Sequence, residues 1–149
     1  MHSCRVALSA AALVVLFAVL ASPAYAADGP ALGKWAFTGK DNSGLVWKGT
    51  LMIEKIDPDR FQDAKYHSMC DLTMESTDET QGTMGVAAPC TFDAQSRTIS
   101  FSTGATRIWV FSAVVSADGK SLSNGKWTRT NASDNSIIET GEWSAKLEQ

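Results

Sequence analysis

The chain has 149 residues, and its 13 basic and 16 acidic residues give a formal net charge of −3. This length suits one domain with a substantial core, and the mildly acidic balance argues against a nucleic-acid partner, whose phosphates require a basic surface. No run of like charges is dense enough to suggest a membrane-surface segment.

The first 26 residues are predicted to be a cleaved signal peptide. Arg5 supplies a positive charge, residues 6–20 are apolar but shorter than the ~20 residues of a membrane span, and Ala24-Tyr25-Ala26 is a small-x-small cleavage site. An uncleaved signal anchor is the alternative. We expect a single domain over residues 27–149, exported to the periplasm or the extracellular space, with no stable membrane insertion after cleavage.

The cysteine content predicts one disulfide. Cys4 leaves with the signal segment, so Cys70 and Cys90 are the two cysteines of the mature chain. In an oxidising compartment two such thiols form a bridge, and a loop of about 20 residues closed in this way contributes roughly 3 kcal/mol to stability.

Alternating apolar and polar residues predict about eight strands joined mainly by short turns. After a loose leader at residues 27–32, the strands lie at residues 33–38, 45–56, 66–76, 82–90 and 98–102, in a hairpin at 107–130, and at 136–147. The hairpin is the most apolar part and turns at Asp118-Gly119. In the last strand, Glu139 is the one misfit on an otherwise apolar face.

The disulfide also suggests a register for the third and fourth strands. If Cys70 lies directly opposite Cys90, the turn centres on residue 80 and Leu72 pairs with Ala88, which places apolar partners on the cysteine face. Pro89 predicts an irregular edge beside Cys90, because proline cannot donate to the strand ladder.

Eight antiparallel strands predict an all-β fold, an up-and-down barrel whose interior is filled by side chains or holds one small ligand. A two-sheet sandwich is the alternative. Four of the five tryptophans lie two residues from a glycine, and a glycine on a barrel wall leaves room for a large ring. The candidate core or pocket aromatics are Trp35, Trp47, Trp109, Trp127 and Trp143.

Gly33-x-Trp35 at the start of the first strand of an exported β-protein resembles the calycin superfamily of lipocalins and avidins. The resemblance implies that Trp35 closes one end of the barrel beneath a basic side chain from a late strand, for which Lys146 and Arg129 are the candidates. It transfers no biotin or lipid site to this chain. In size, export, barrel form and single disulfide the chain is also similar to the small secreted inhibitors of bacterial metalloproteases.

The sequence carries no recognisable catalytic constellation. His67 is the single histidine of the mature chain and is predicted to face outwards, and no phosphate loop, metal-ligand cluster or dinucleotide fingerprint is present. The acidic turn at Asp57, Asp59 and Asp63 is a possible calcium site, although solvated loop charge explains it. We therefore predict no enzyme activity, cofactor or metal. The expected function is binding of an unknown small ligand or protein, or alternatively inhibition of a protease or other hydrolase.

Overall fold

The computed structural model describes residues 27–57, 59, 66, 68–103 and 107–149. The predicted signal segment, His67 and Asp63 lie outside these residues. The strands are β1 (Gly33–Asp41), β2 (Val46–Lys55), β3 (Ser68–Ser76), β4 (Thr83–Asp93), β5 (Thr98–Thr103), β6 (Arg107–Val115), β7 (Ser121–Asn131) and β8 (Ile137–Leu147).

These eight strands form a closed antiparallel barrel. Each strand pairs with the next in the chain, and β1 also pairs with β8, from Trp35 opposite Leu147 to Asp41 opposite Gly141. The predicted up-and-down barrel is confirmed, and the alternative sandwich is wrong because that last pairing leaves no open sheet edge. Closure brings the two ends of the chain's β-region side by side.

The period-two alternation of the sequence separates the inner face from the outer face. In β1 the inward positions are Trp35, Phe37, Gly39 and Asp41, and the residues between them are exposed. The other strands follow the same rule, so a single cluster of buried apolar side chains occupies the interior.

The predicted hairpin is confirmed as β6, β7 and their turn. Asp118 Oδ1 accepts hydrogen bonds from Ser116 Oγ and the Lys120 amide, and Gly119 has a φ of 72°, which a glycine adopts without strain. The β7–β8 pairing shifts between Leu122 and Gly125, and the intervening Asn124 has a φ of 50°.

The Cys70–Cys90 disulfide is present, but the predicted register around it is wrong by two residues. Cys70 pairs with Ala88, and Cys90 pairs with Ser68, so the bridge joins diagonal neighbours whose Cα atoms are 5.7 Å apart. A two-residue slip keeps every side chain on its face, and apolar pairing therefore could not distinguish the two registers.

The leader is ordered rather than loose. The Ala27 amide donates to the Ala117 carbonyl at 2.7 Å, and the Ala31 amide donates to the Gly119 carbonyl at 2.8 Å. These bonds hold the leader on the β6–β7 turn, at the end of the barrel where β1 begins. We call this the closed end.

Candidate functional site

Aromatic rings fill the middle of the barrel. The Trp143 ring on β8 contacts Phe37 on β1 at a centroid distance of 5.5 Å and Phe101 on β5 at 6.3 Å. Because β1 and β5 lie on opposite sides of an eight-stranded barrel, one ring thus spans the interior at this level. Any site inside the barrel must lie nearer one of its two ends.

Two of the four glycine–tryptophan pairs interlock on β7 and β8. Trp127 lies over Gly141, where an added Cβ would be 2.1 Å from the indole Nε1, and Trp143 lies over Gly125, where a Cβ would be 2.6 Å from its ring. The Trp143 indole N–H also donates to the Lys126 carbonyl at 3.1 Å. These two glycines therefore provide the space that the rings of the neighbouring strand occupy.

The other two glycines have different surroundings. At Gly49 an added Cβ would lie 2.0 Å from the Thr73 carbonyl oxygen, so that glycine permits a close approach of backbone rather than of a ring. Gly33 has a φ of 135°, and an added Cβ there would meet only Leu147. The four pairs share one sequence motif, but the glycines have three different roles: room for a ring at Gly125 and Gly141, close backbone approach at Gly49, and a positive φ at Gly33.

Trp35 lies fully buried at the closed end. Its indole N–H donates to the Ala31 carbonyl of the leader at 3.2 Å. The basic residues that the calycin resemblance suggested for this place are elsewhere, because Arg129 lies over Trp109 and Lys146 is on the exposed outer face. The guanidinium that holds this end is Arg97.

Arg97 fixes the leader through main-chain carbonyls. Its Nη1 donates to Ala27 at 3.0 Å, its Nε to Val115 at 3.1 Å and its Nη2 to Ser116 at 2.6 Å. A charged donor that satisfies three carbonyls makes strong hydrogen bonds and ties the leader to the end of β6. The candidate site is therefore at the opposite end.

At that opposite end, which we call the polar end, three charged side chains among those that the structure describes face the interior. Asp41 ends the inward row of β1, Arg129 follows Trp127 on β7, and Glu139 precedes Gly141 on β8. Asp41 is 7% exposed, and the side chains of Arg129 and Glu139 are 20% and 14% exposed. We call these three residues the polar cluster.

Asp41 is held as a carboxylate. Its Oδ1 accepts hydrogen bonds from the Ser43 amide at 2.9 Å, the Ser43 hydroxyl at 2.6 Å and the Leu45 amide at 2.9 Å, and its Oδ2 accepts from the Trp47 indole at 3.4 Å. Burial alone would raise the pKa of Asp41, but these donors outweigh burial and hold the pKa below its usual value. The acceptor capacity of Oδ1 is thus fully used.

Glu139 has the opposite tendency. Burial raises the pKa of Glu139, and the Arg129 charge opposes that rise. The like charge of the Asp41 carboxylate, and the hydrogen bond that a protonated Glu139 donates to it, add to the rise, so that the pKa lies above its usual value. Glu139 is ion-paired with Nη2 of Arg129. A carboxyl group in this position takes up a proton more readily than one in water.

Arg129 is incompletely bonded. Its guanidinium lies 5.1 Å from the centroid of the Trp109 ring, and its buried Nε finds no hydrogen-bond partner among the described residues. A buried N–H without an acceptor costs about 1–3 kcal/mol, so this edge of the guanidinium favours an incoming acceptor.

Three half-buried apolar side chains lie at the same end of the barrel as the polar cluster. Leu45 follows the β1–β2 turn, Met84 begins β4, and Trp109 lies near the start of β6, all packed against the core at the polar end. We call them the apolar rim. Trp109 also stacks on Trp127 with a centroid distance of 5.3 Å. The polar end thus offers both charge and partly exposed apolar surface.

Two depressions lie on the outer face of β1, β7 and β8, with volumes of about 480 and 620 Å³. Both are lined by Lys40, Lys126 and Glu142, and the larger one is also lined by Asp41 of the polar cluster. Lys126 and Glu142 form an exposed ion pair there, of a kind that contributes little energy in solvent. This surface is an alternative place for a ligand.

The predicted aromatic residues divide into two groups in the structure. Trp35, Trp47, Trp127 and Trp143 are buried in the core, and Trp109 alone is partly exposed. The structure brings Trp47 and Trp109 to the polar cluster, Trp47 through its bond to Asp41.

Sequence reasoning did not identify the polar cluster as a site. The alternation marks Glu139 as the one misfit on its strand, the calycin resemblance suggests Arg129 as a partner of Trp35, and Asp41 falls between the predicted strands 33–38 and 45–56. Extending the alternation of β1 by three residues would have placed Asp41 on the Trp35 face, and Arg129 is two positions after Trp127. Charged residues on inward positions at the same end of the barrel were the available signal.

Other candidate sites remain predictions. Asp57 accepts a hydrogen bond from the Asp59 amide at 3.0 Å, and their proposed partner Asp63 lies outside the described residues. Within the described residues, no three His, Cys, Asp or Glu side chains are grouped so as to hold a metal ion. None of the described residues belongs to a helix with the length and hydropathy needed to cross a bilayer.

Solved structures with the same architecture are designed β-barrels. EF1p2_mFAP2b bound to DFHBI has a TM-score of 0.56 and 10% identity, covering 78% of this chain and 93% of that chain. The redesigned barrel mFAP1 bound to DFHBI has a TM-score of 0.53 and 11% identity, covering 77% and 93%. A fluorescence-activating β-barrel designed de novo has a TM-score of 0.50 and 10% identity, covering 79% and 94%.

At this identity the likeness shows the fold alone. No protein-family model matches the sequence, and no curated protein sequence matches it significantly.

Proposed function

We propose that this protein is an exported, non-enzymatic binding protein that takes a small ligand at the polar end of a calycin-like barrel. The observation that carries the proposal is the guanidinium of Arg129, which is held inside the barrel with one buried N–H unpaired. Ligand pockets commonly combine apolar walls with a few polar groups that fix the ligand's orientation, and the apolar rim with the polar cluster has this composition.

The closed end and the filled middle support the same location. Trp35 and the leader occupy one end, and the ring of Trp143 spans the interior. This favours the polar end as the place for a ligand. The designed barrels of similar fold include two that are bound to DFHBI, which is consistent with a small-molecule site in this architecture.

Binding without catalysis is favoured by the state of the two inward carboxyl groups. Asp41 is occupied by hydrogen bonds from Ser43, Leu45 and Trp47, and Glu139 is ion-paired with Arg129. Export is supported by the apolar segment before Ala27 and by the disulfide, which persists in oxidising compartments.

Inhibition of a hydrolase through the leader has less support. An inhibitory leader must be free to enter a protease, whereas residues 27–31 are hydrogen-bonded to the β6–β7 turn and to Arg97.

The experiment is a two-dimensional NMR screen that monitors the indole N–H signals of the five tryptophans. Neutral, anionic and cationic small molecules with apolar bodies are added to the purified protein, preceded by native mass spectrometry for a co-purifying compound. We expect at least one compound to shift the signals of Trp47 and Trp109 and to leave that of Trp35 in place, because Trp35 is at the closed end.

The control is a Lys126→Gln variant, which alters the outer depressions and leaves the polar cluster intact. Binding at the polar end should be unchanged in this variant. A shift confined to the indole signal of Trp143, which lines the smaller outer depression, or a library that shifts no indole signal, would refute the proposed site.

A further inference from the structure

One hydrogen-bond donor of the polar cluster has no acceptor among the described residues. Oδ1 of Asp41 accepts three hydrogen bonds, Oδ2 accepts one from Trp47, and Glu139 is bound to Arg129. In the part of the chain that the structure describes, the buried polar side-chain atom without a partner is a donor, the Nε–H of Arg129. A ligand that completes the bonding of the Arg129 guanidinium must therefore supply an acceptor, such as a carboxylate oxygen.

The shape of the guanidinium narrows the ligand further. Nε and Nη2 lie on one edge of this planar group, and a single carboxylate can accept from both. Glu139 uses Nη2 and leaves Nε unpaired, so it occupies half of a two-donor edge. Trp109 of the apolar rim lies against this guanidinium, and Leu45 and Met84 are partly exposed at the same end of the barrel, which suits an apolar body attached to the carboxylate.

Resting on the proposed function, we propose that the ligand is a small carboxylate with an apolar body that takes the Nε–Nη2 edge of Arg129 from Glu139. Glu139 then takes a proton from solvent, and its new O–H donates a hydrogen bond to the Asp41 carboxylate. The ligand brings one negative charge to the cluster, and protonation of Glu139 removes one. The raised pKa of Glu139 and the lowered pKa of Asp41 are consistent with this order of protonation.

The charges that face Glu139 are few. On the inner faces of the adjacent strands they are Asp41 on β1 and Arg129 on β7, whereas Lys40 and Glu142 are on the outer face. The described inward side chains at the polar ends of β2 to β4 and β6 carry no charge; they are Trp47, Ser76, Met84 and Trp109. Proton uptake on binding is thus assigned to Glu139.

The test compares 2-naphthoate with its neutral counterpart 2-naphthamide by isothermal titration calorimetry. We expect 2-naphthoate to bind at the polar end and 2-naphthamide to bind at least tenfold more weakly. Because a proton is taken up, binding should be less exothermic in Tris than in phosphate, since Tris absorbs more heat when it releases a proton. This comparison uses the natural protein and needs no variant.

Affinity should also depend on pH in a defined direction. A proton bound together with the ligand makes the affinity fall as pH rises through the pKa of Glu139, with a limit of about tenfold per pH unit for one proton. In Glu139→Gln this dependence and the buffer-dependent heat should disappear, while 2-naphthoate should still bind. Glu142→Gln on the outer face of the same strand is the matched control and should retain both.

Each result separates this proposal from the proposed function. Equal binding of 2-naphthoate and 2-naphthamide at the polar end overturns the ligand class but leaves a small-molecule site in place. Binding of 2-naphthoate with identical heats in both buffers overturns the proton uptake at Glu139. Failure of both compounds overturns the carboxylate proposal, and only a silent NMR library would remove the binding function as well.

Discussion

Replacing Gly141 by alanine should destabilise the barrel strongly, because Trp127 occupies the space that the new methyl group needs. An ideal Cβ at Gly141 would be 2.1 Å from the indole Nε1, whereas ordinary contact begins at 3.4 Å, so the ring must move by 1.3 Å. Trp127 is 2% exposed, and its ring is held between Trp109 at 5.3 Å and Phe111 at 6.3 Å. The displacement therefore propagates into the aromatic core.

The expected magnitude follows from this confinement. Overpacking a well-filled core costs about 1–3 kcal/mol, and we expect Gly141→Ala to lose about 3 kcal/mol because the clash involves a rigid ring. Gly85→Ala is the matched control, since an added Cβ at this strand glycine meets nothing within 4 Å. Its free energy of unfolding should stay within about 0.5 kcal/mol of the natural protein, as is usual for exposed substitutions.

The assay is urea unfolding followed by far-ultraviolet circular dichroism, with the slope of the transition checked between variants. A second comparison measures the cost of Gly141→Ala in a Trp127→Phe background, where the smaller ring leaves room. If the clash is the cause, that cost should be at least about 1 kcal/mol smaller than in the natural background. A cost for Gly141→Ala no greater than that for Gly85→Ala, or one unchanged by Trp127→Phe, would refute the reasoning.

Two further predictions concern the disulfide and the polar cluster. Replacing Cys70 and Cys90 together by alanine should lower the free energy of unfolding by about 3 kcal/mol in urea titrations, since the bridge closes a loop of 20 residues; an unchanged midpoint would contradict this. Because the pKa of Glu139 is raised in the folded protein, the stability that this group contributes is present below its unfolded pKa of 4.5 and is lost as pH rises through the folded value. The free energy of unfolding of the natural protein minus that of Glu139→Gln should therefore decrease as pH rises over that range. The pKa of Glu142 is lowered instead, so the corresponding difference for Glu142→Gln should increase as pH rises.

The strands were predictable because one face of each is buried. Trp35 and Phe37 on β1 alternate with exposed residues, and this period of two does not depend on how the individual side chains pack. The β3–β4 register was not predictable. Pairing Cys70 with Ala88 instead of Cys90 leaves every side chain of the two strands on the same face of the sheet. Turn geometry decides between registers that differ by two residues, and the sequence of that turn favours neither.

The polar cluster shows a different limit. Local alternation and an up-and-down strand order can place Asp41, Arg129 and Glu139 on inward positions at one end of the barrel, but they cannot show that β1 lies beside β8. That information comes from the closure of β8 on β1, which sets Asp41 opposite Gly141, two positions from Glu139. The direction of the Arg129 edge and the missing partner of its Nε depend on side-chain contacts that no sequence pattern contains.

Both ends of the β-region emerge on the same side of the molecule. The Glu148 amide donates to the Lys34 carbonyl at 2.8 Å, and the side chains of these two residues form an ion pair at 2.8 Å, next to the leader. An affinity tag, a surface tether or a fused partner attached beyond either end therefore points away from Arg129. A short linker between the two ends would likewise produce a circular permutant, opened at the turn after Ser76, in which the polar cluster keeps its orientation.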